Sequence, residues 1–399
     1  MRSGITLHVG CEKGDIVGRD NRALQAAVDY IGQLGGGTVL LGAGEYLMRD
    51  ALHLRSNVTL RGQGQKTILR KCDGFTSALA ADADYGDHEV VVQDPAGFEV
   101  GMGVTVADER AGGFHLTVAT IVAMAGQSLF INGRHQADYM MGRGGLVTST
   151  FPVISGRDVE QVCVEGLSID GSKAANRMLS GCRGAGIYFH RAQDVEIRDC
   201  VVADYNGDGI SFQQSADVHV IGCTCRSNTQ LGLHPGSGSQ RPVIQKCRSI
   251  DNGRIGLYFC WRVKQGLAVG NELRGNGQYG ISIGHKDTDN LIEDNVIADN
   301  GLAGVFFRDE QEPQGAHRNR LLKNTIEDNG NSEEGYGIKI DGETNDLVIR
   351  DNRIRNSQPE DAARQRVGIH IGPHAEHILL EGNQIAGHPK ADVERQRGG

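Results

Sequence analysis

The stretch that decides the fold runs from Gly256 to Glu310 and reads GLYFCWRVKQGLAVGNELRGNGQYGISIGHKDTDNLIEDNVIADNGLAGVFFRDE. A glycine followed by an alternating apolar run opens it as GLYFC. The pattern returns 24 residues later as GISIG and 24 residues after that as GVFFR. Working outward, the same signature begins at Gly186, Gly209, Gly232, Gly256, Gly280, Gly304, Gly337 and Gly368. A second column trails these glycines by 14 or 15 residues in seven of the eight units, and by 20 in the unit with an insertion after Arg308. It reads Cys200, Cys223, Cys247, Asn271, Asn295, Asn324, Asn352 and Asn383.

Each unit holds three short apolar runs, for example GISI, NLIE and NVIADNG, with no room for a helix and no LxxLxLxxN pattern. Three strands per repeat give an all-β parallel β-helix, whose coils stack at about 4.8 Å. Stacking turns the asparagine column into a ladder of side-chain amides. The three cysteines in the same column are expected to be reduced and buried, since nothing nearby would activate a thiol.

The remainder of the chain divides by period. Residues 1–87 are expected to hold a capping helix and the first coils. The helix starts at Asp20, places Leu24, Ala27, Val28, Ile31 and Leu34 on one face, and ends at Gly35-Gly36-Gly37. Residues 88–150 break the coil period with HEVVVQD, GVTVAD, LTVATIVAM and SLFING, which are strands at hairpin spacing and predict a small β insertion. The insertion is expected to form one wall of the substrate groove, with Asp108, Glu109, Arg110, Phe114 and His115 as its contacts to substrate. Residues 151–399 form the main run of coils.

Composition agrees with many short strands and tight turns. The chain has 57 glycines and 8 prolines in 399 residues, about twice the usual glycine usage of roughly 7%. The net charge of −9 argues against a nucleic-acid partner, and no apolar run approaches the length of a membrane helix. The opening MRSGITLHVG has no apolar signal core, so the expectation is a cytoplasmic chain or one whose signal is already removed. Oligomeric state is left open.

QAAVDYIGQLGGGTVLLGAGEYLM, NVTLRGQG and the later G-I-x-I…N-x-I-x-x-N-G coils together resemble the pectate-lyase-like right-handed parallel β-helix superfamily. The resemblance covers nearly the whole chain outside the insertion. It implies a right-handed coil and a carbohydrate-directed protein: a polysaccharide lyase, a glycoside hydrolase, an epimerase or a phage tailspike. The Asn-Thr-Asp, Gly-Asp-Asp, Gly-His-Gly and Arg-Ile-Lys set of polygalacturonase-like hydrolases is absent, as is the Asp-Pro-His triplet of mannuronan epimerases. No catalytic set therefore transfers residue by residue.

Strand alternation sorts the faces. Positions +1 and +3 after each glycine are almost all apolar and point inward. Position +2 (Tyr188, Ser211, His234, Tyr258, Ser282, Phe306, Lys339, His370) and position +4 (among them His190, Arg308 and Asp341) point outward. The turns that follow add Trp261-Arg262, His285-Lys286-Asp287 and Asp309-Glu310. In the resembled superfamily the substrate groove lies along this sheet.

The expected catalytic set is Lys339, Asp341, Arg308, Asp309 and His285. In β-elimination from a uronate, Arg308 would neutralise the carboxylate and Lys339 or His285 would take the C5 proton. Tyr258 would protonate the leaving oxygen. A lysine base needs its pKa depressed, which a neighbouring Arg308 would favour. In the alternative hydrolysis, Asp309 and Asp341 would flank the bond from adjacent coils. His234, Tyr258, Trp261, Arg262, Lys286, His190 and His370 are the expected substrate contacts, with His234-Pro235 read as an open turn. No cofactor is expected, although oxygen ligands at Asp287 leave room for Ca²⁺. A non-catalytic glycan-binding or spike-like module is the remaining reading.

Overall fold

The computed structural model describes residues 4–331 and 333–396. Three parallel sheets of 13, 11 and 11 strands wrap a single core. One coil illustrates the order: Tyr279–Ile283 lies in the glycine-led sheet, Leu291–Glu293 in the second and Val296–Ala298 in the third. Neighbouring coils pair column on column, so Ser282 faces Phe306, Phe306 faces Lys339, and Lys339 faces His370. The inward residues Ile281, Ile283, Val305, Phe307, Ile338 and Ile340 have no exposed surface. The right-handed parallel β-helix expected from the repeat is the observed fold.

Each corner has its own hydrogen-bonding device. Between the second and third sheets, Asn271, Asn295, Asn324, Asn352 and Asn383 stack as predicted. The Nδ2 of Asn271 donates to Asn295 Oδ1 at 2.8 Å, and the next three links are each 2.9 Å. The same Asn295 Oδ1 accepts the backbone N–H of Asn271 at 2.9 Å. Cys200, Cys223 and Cys247 continue the column with free thiols turned to backbone carbonyls.

A second ladder, not singled out from the sequence, fills the corner between the third sheet and the glycine-led sheet. It runs Asn228, Asn252, Asn276, Asn300, Asn329 and Gln365 with links of 2.9–3.0 Å. Its signal in the sequence is the Asn-Gly that recurs at Asn252, Asn276, Asn300 and Asn329. Inward side chains of the third sheet, the backbone of the next coil and, from Gly209 to Gly337, this ladder together leave no room for a Cβ at the leading glycines. A Cβ on Gly280 would come within 2.3 Å of Ile297 Cγ2 and 2.9 Å of Asn300 Nδ2.

The helix Asn21–Gln33 closes the open end of the coil. Asp20 caps it by accepting from the backbone N–H groups of Arg22 and Ala23. Leu24, Ala27, Val28 and Ile31 are buried against the first strands, but Leu34 sits at the C-cap and is 48% exposed. Chain direction changes there, so the helical period no longer governs it.

The insertion is a six-stranded antiparallel sheet with its own core of Val90, Val104, Val106, Ile121, Leu129 and Val147. It takes in Thr76–Ala78, ahead of the expected boundary at residue 88, because that strand pairs with Leu146–Thr148. Asp108 is not a surface contact. Its side chain is enclosed, accepts from the backbone of Arg110, Ala111 and Met140, and pairs with Arg143 at 2.7 Å.

The ladder makes a direct prediction. Asn295→Ala leaves the buried Asn271 amide without its acceptor, at a cost of about 1–3 kcal/mol for each group left unsatisfied. Chemical denaturation should show a lower midpoint, whereas an unchanged midpoint would mean the ladder contributes nothing to stability.

Candidate functional site

Burial divides the outward face of the glycine-led sheet into a covered part and an open part. The strands Ala185–His190, Asp208–Gln213 and Leu231–Gly236 are buried at every residue. The segment 171–184 folds over them: Ser211 Oγ and Gln213 Nε2 donate to Gly181 O at 2.7 and 3.2 Å. Tyr188 donates its hydroxyl to Cys182 O at 2.6 Å. Gly181 must be glycine here, since a Cβ would lie 1.7 Å from Asp208 Oδ2.

His234 is therefore not in an open turn. Its strand continues through Pro235, and the imidazole is enclosed with Nδ1 at 2.7 Å from Asp208 Oδ2. Burial pulls its pKa down, but the Asp208 hydrogen bond and Cys260 overcome this and raise it to about 10. Asp208, absent from the expected set, is what fixes His234 as an imidazolium. His190 and His370 are likewise buried rather than flanking an open groove.

The open part runs from Tyr258 to Asp341. Arg308 is the hub of its floor. One guanidinium nitrogen donates to Ser282 Oγ, and another to Phe259 O and Asp287 Oδ2, each at 3.0 Å. The guanidinium also lies 4.7 Å from the centre of the Tyr258 ring, within reach of a cation–π attraction. Burial pushes the Tyr258 hydroxyl well up, so it stays protonated. The edge of Tyr258 meets His234 at 5.3 Å.

Asp287 is fully buried and does not fit a metal-ligand role. Its oxygens already accept from Val263 N, Gly284 N and Arg308, at 2.9–3.0 Å. Burial lifts its pKa to about 7 despite Arg308 and the two backbone donors, which act to lower it. Among the described residues, no group of three or more metal-ligating side chains occurs.

Beside this floor, His285 stacks on Trp261 at 4.6 Å with the rings 14° apart. Its Nδ1 lies 2.5 Å from Glu310 Oε1. Burial lowers the His285 pKa, with Arg308 acting in the same sense against the pull of Glu310. Trp261 is 45% exposed, Arg262 is exposed and Lys286 half-buried, so all three border open solvent. Asp309 is exposed and joins none of these contacts. The carboxylate that reaches inward from this turn is Glu310.

Lys339 belongs to a second group. Its Nζ is 3.4 Å from Asp341 Oδ2 and 3.8 Å from Glu334 Oε1, and lies over the rings of Tyr336 and Phe306. Burial would lower its pKa, but Asp341 and Glu334 outweigh this and raise it. The expected depression by Arg308 does not occur, because Arg308 leans toward the preceding coils. Asp341 continues to His370 Nε2 at 3.7 Å, and His370 Nδ1 to Glu394 Oε2 at 2.9 Å. Glu394 lies on Ala391–Arg395, a final strand not read from the sequence although A-D-V-E-R alternates.

Two pairs of loops border these coils. On one side Glu343 N donates to Glu310 O at 2.8 Å, zipping the turn after Arg308 to the turn after Asp341. On the other, Arg366 N donates to Gly335 O at 2.9 Å. The long loops thus lie where their lengths had placed them, around the coils from Gly304 to Gly368.

The stacked coils and ladders define a right-handed parallel β-helix protein. The chain belongs to the right-handed β-helix region family, whose model matches residues 165–311 and 289–394, together more than half of the chain. Over 71 residues it is 41% identical to the mannuronan C5-epimerase AlgE1 of Azotobacter vinelandii, a match covering 16% of this chain and 5% of that protein. Among solved structures, the A-module of the A. vinelandii mannuronan C-5 epimerase AlgE4 aligns over 98% of this chain and 100% of its own, with a TM-score of 0.58 and 16% identity. The polygalacturonase from Erwinia carotovora ssp. carotovora aligns over 100% and 98%, with a TM-score of 0.58 and 12% identity. At these identities the likeness is one of fold.

Asp287 gives the site a pH signature. Its folded pKa is raised to about 7 from an ordinary 3.8, so its contribution to stability is complete below about pH 4 and is lost as pH rises through 7. Asp287→Asn does not titrate. The melting temperature of the parent relative to this variant should therefore fall between pH 4 and 7. Parallel profiles would show that Asp287 keeps an ordinary acidity.

Proposed function

We propose that the protein acts on an anionic, uronate-containing poly- or oligosaccharide lying along the open coils, and that it cleaves the chain by β-elimination. The observation that carries this reading is the pairing of a neutral, oriented imidazole with a protonated phenol and a guanidinium on adjacent coils. His285 is held by Glu310 and by the Trp261 ring, and its lowered pKa leaves it able to accept a proton at neutral pH. Two similar proteins named above, the mannuronan epimerase and the polygalacturonase, are named for uronate polymers, which supports the substrate class.

In this mechanism the Arg308 guanidinium stabilises the charge that builds on the uronate carboxylate as the C5 proton leaves. His285 takes that proton. Tyr258, kept protonated by burial, delivers a proton to the departing oxygen, and Trp261 supplies a stacking surface for a sugar ring. Lys339 is a poor base because its carboxylate neighbours hold it protonated, and it serves instead as a cation that contacts the substrate.

Hydrolysis is less well supported by the same geometry. A hydrolase needs a protonated carboxyl at the glycosidic oxygen. Among the described residues the carboxyl with weakened acidity is Asp287, which is fully enclosed. Asp309 is directed to solvent.

The test is turnover on polyuronate substrates, read by the ultraviolet absorbance of the unsaturated product and by reducing ends. His285→Ala and Tyr258→Phe should each lower kcat by roughly 10²-fold or more, as expected for general acid–base groups. Lys339→Met should act mainly on KM. Reducing ends without unsaturated product would replace elimination by hydrolysis. Solvent deuterium entering C5 without cleavage would make the reaction an epimerisation. Full activity in both His285→Ala and Tyr258→Phe would remove the site.

A further inference from the structure

A second constellation lies at the other end of the glycine-led sheet, where the insertion meets the coils. Arg157 ends the strand Ile154–Arg157 and pairs in register with His190 on the next coil. Arg183 comes from the covering segment and is only 6% exposed. Its Nε donates to Leu116 O of the insertion at 2.8 Å. Phe114 of the same insertion turn packs its ring 6.1 Å from His190.

What sets this place apart is charge without a partner. Among the described residues no carboxylate pairs with Arg157 or Arg183. Nearby Asp158 is already taken by Arg191 at 2.7 Å. Asp50, in the adjoining cleft of about 240 Å³, accepts from Thr120 and Ala51 and lies 3.3 Å from His53. The His190 Nε2 is buried and has no hydrogen-bond partner.

An arginine cannot shed its proton in a protein, and a buried charge without a counter-charge is costly. Arg157 adds to that cost, since it and Arg183 repel each other. Arg157 has only the Tyr188 ring beneath it, at 5.7 Å, and no described carboxylate supplies a direct counter-charge, which leaves the place open to an external anion.

We propose that Arg157 and Arg183, beside His190 and Phe114, form an oxyanion-binding site, distinct from the groove at His285, that takes a carboxylate or a sulfate. Phe114 gives the site an apolar wall, which suits an anion carried on a sugar ring. Four coil spacings separate Arg157 from Tyr258, about 19 Å at roughly 4.8 Å per coil. Occupancy of this site is therefore independent of which reaction the central coils perform.

The experiment titrates the full chain with sodium sulfate, with galacturonate and with glucose. Each is set against sodium chloride at matched ionic strength and followed by melting temperature and calorimetry. Sulfate or galacturonate should raise the melting temperature saturably, while glucose and chloride should not. Binding of galacturonate more tightly than sulfate identifies a uronate-bearing sugar as the occupant, and the reverse order identifies a sulfate group or the free anion. Arg157→Gln, at a half-exposed position that should not disturb folding, should weaken the binding by tenfold or more. Arg183→Gln should do the same if it folds. No saturable effect of either anion, or unchanged affinity in Arg157→Gln, overturns the proposal. These are binding readouts, so their failure is distinct from a failure of turnover at His285.

Discussion

Parallel hydrogen bonding between coils is the interaction on which everything else in this molecule depends. It fixes each strand against the same strand of the next coil, so a column in the sequence becomes a column in space. The asparagine ladders extend that constraint to the corners, where the chain turns and backbone groups would otherwise go unpaired. Each ladder amide donates to the next side chain and to a carbonyl of the preceding coil, and its oxygen accepts from a side chain and a backbone N–H. The glycine column follows from the same close stacking, because third-sheet side chains, the next coil's carbonyl and in most coils a ladder amide occupy the volume a Cβ would need.

This explains what was legible in the sequence. Period, alternation and column composition come straight from inter-coil register. The inward run Ile281, Val305, Ile338 and the outward run Ser282, Phe306, Lys339, His370 were both readable in advance. What the columns do not encode is anything that crosses them. The segment 171–184 carries no periodic signal, yet it buries three outward strands and moves His234 from the groove to the interior. Asp208 precedes its glycine at a position that varies from coil to coil, so its partnership with His234 depended on that cover. Glu310 and Asp309 differ by one residue in a turn with no fixed alternation, and only the inward one meets His285.

Arg308 shows how an outward position becomes part of a rigid floor. Its guanidinium donates to a hydroxyl, a carbonyl and a carboxylate from two preceding coils, and these acceptors fix its plane beneath Tyr258. A buried pair such as Arg308 and Asp287 adds little to stability, because desolvation offsets the attraction. In the proposed elimination its value is positional: a cation locked by several partners needs no rearrangement when negative charge develops above it. Lys339, on a flexible stem among carboxylates and aromatic rings, has the charge without that fixity. In the proposed reaction it therefore holds the substrate and does not stabilise the transition state.

The two central histidines make the same point about environment. Both lie beside a carboxylate, at 2.7 Å for His234 and 2.5 Å for His285. For His234 the carboxylate is enclosed with it, and no arginine competes, so the imidazolium is favoured despite burial. For His285 the Arg308 guanidinium adds to the effect of burial, and the two together outweigh Glu310. One ring is thereby held charged and sealed beneath the groove, and the other neutral and facing it. Residue type and spacing could nominate both. The proposal that one is structural and the other transfers a proton rests on which cation and which covering segment stand beside each ring.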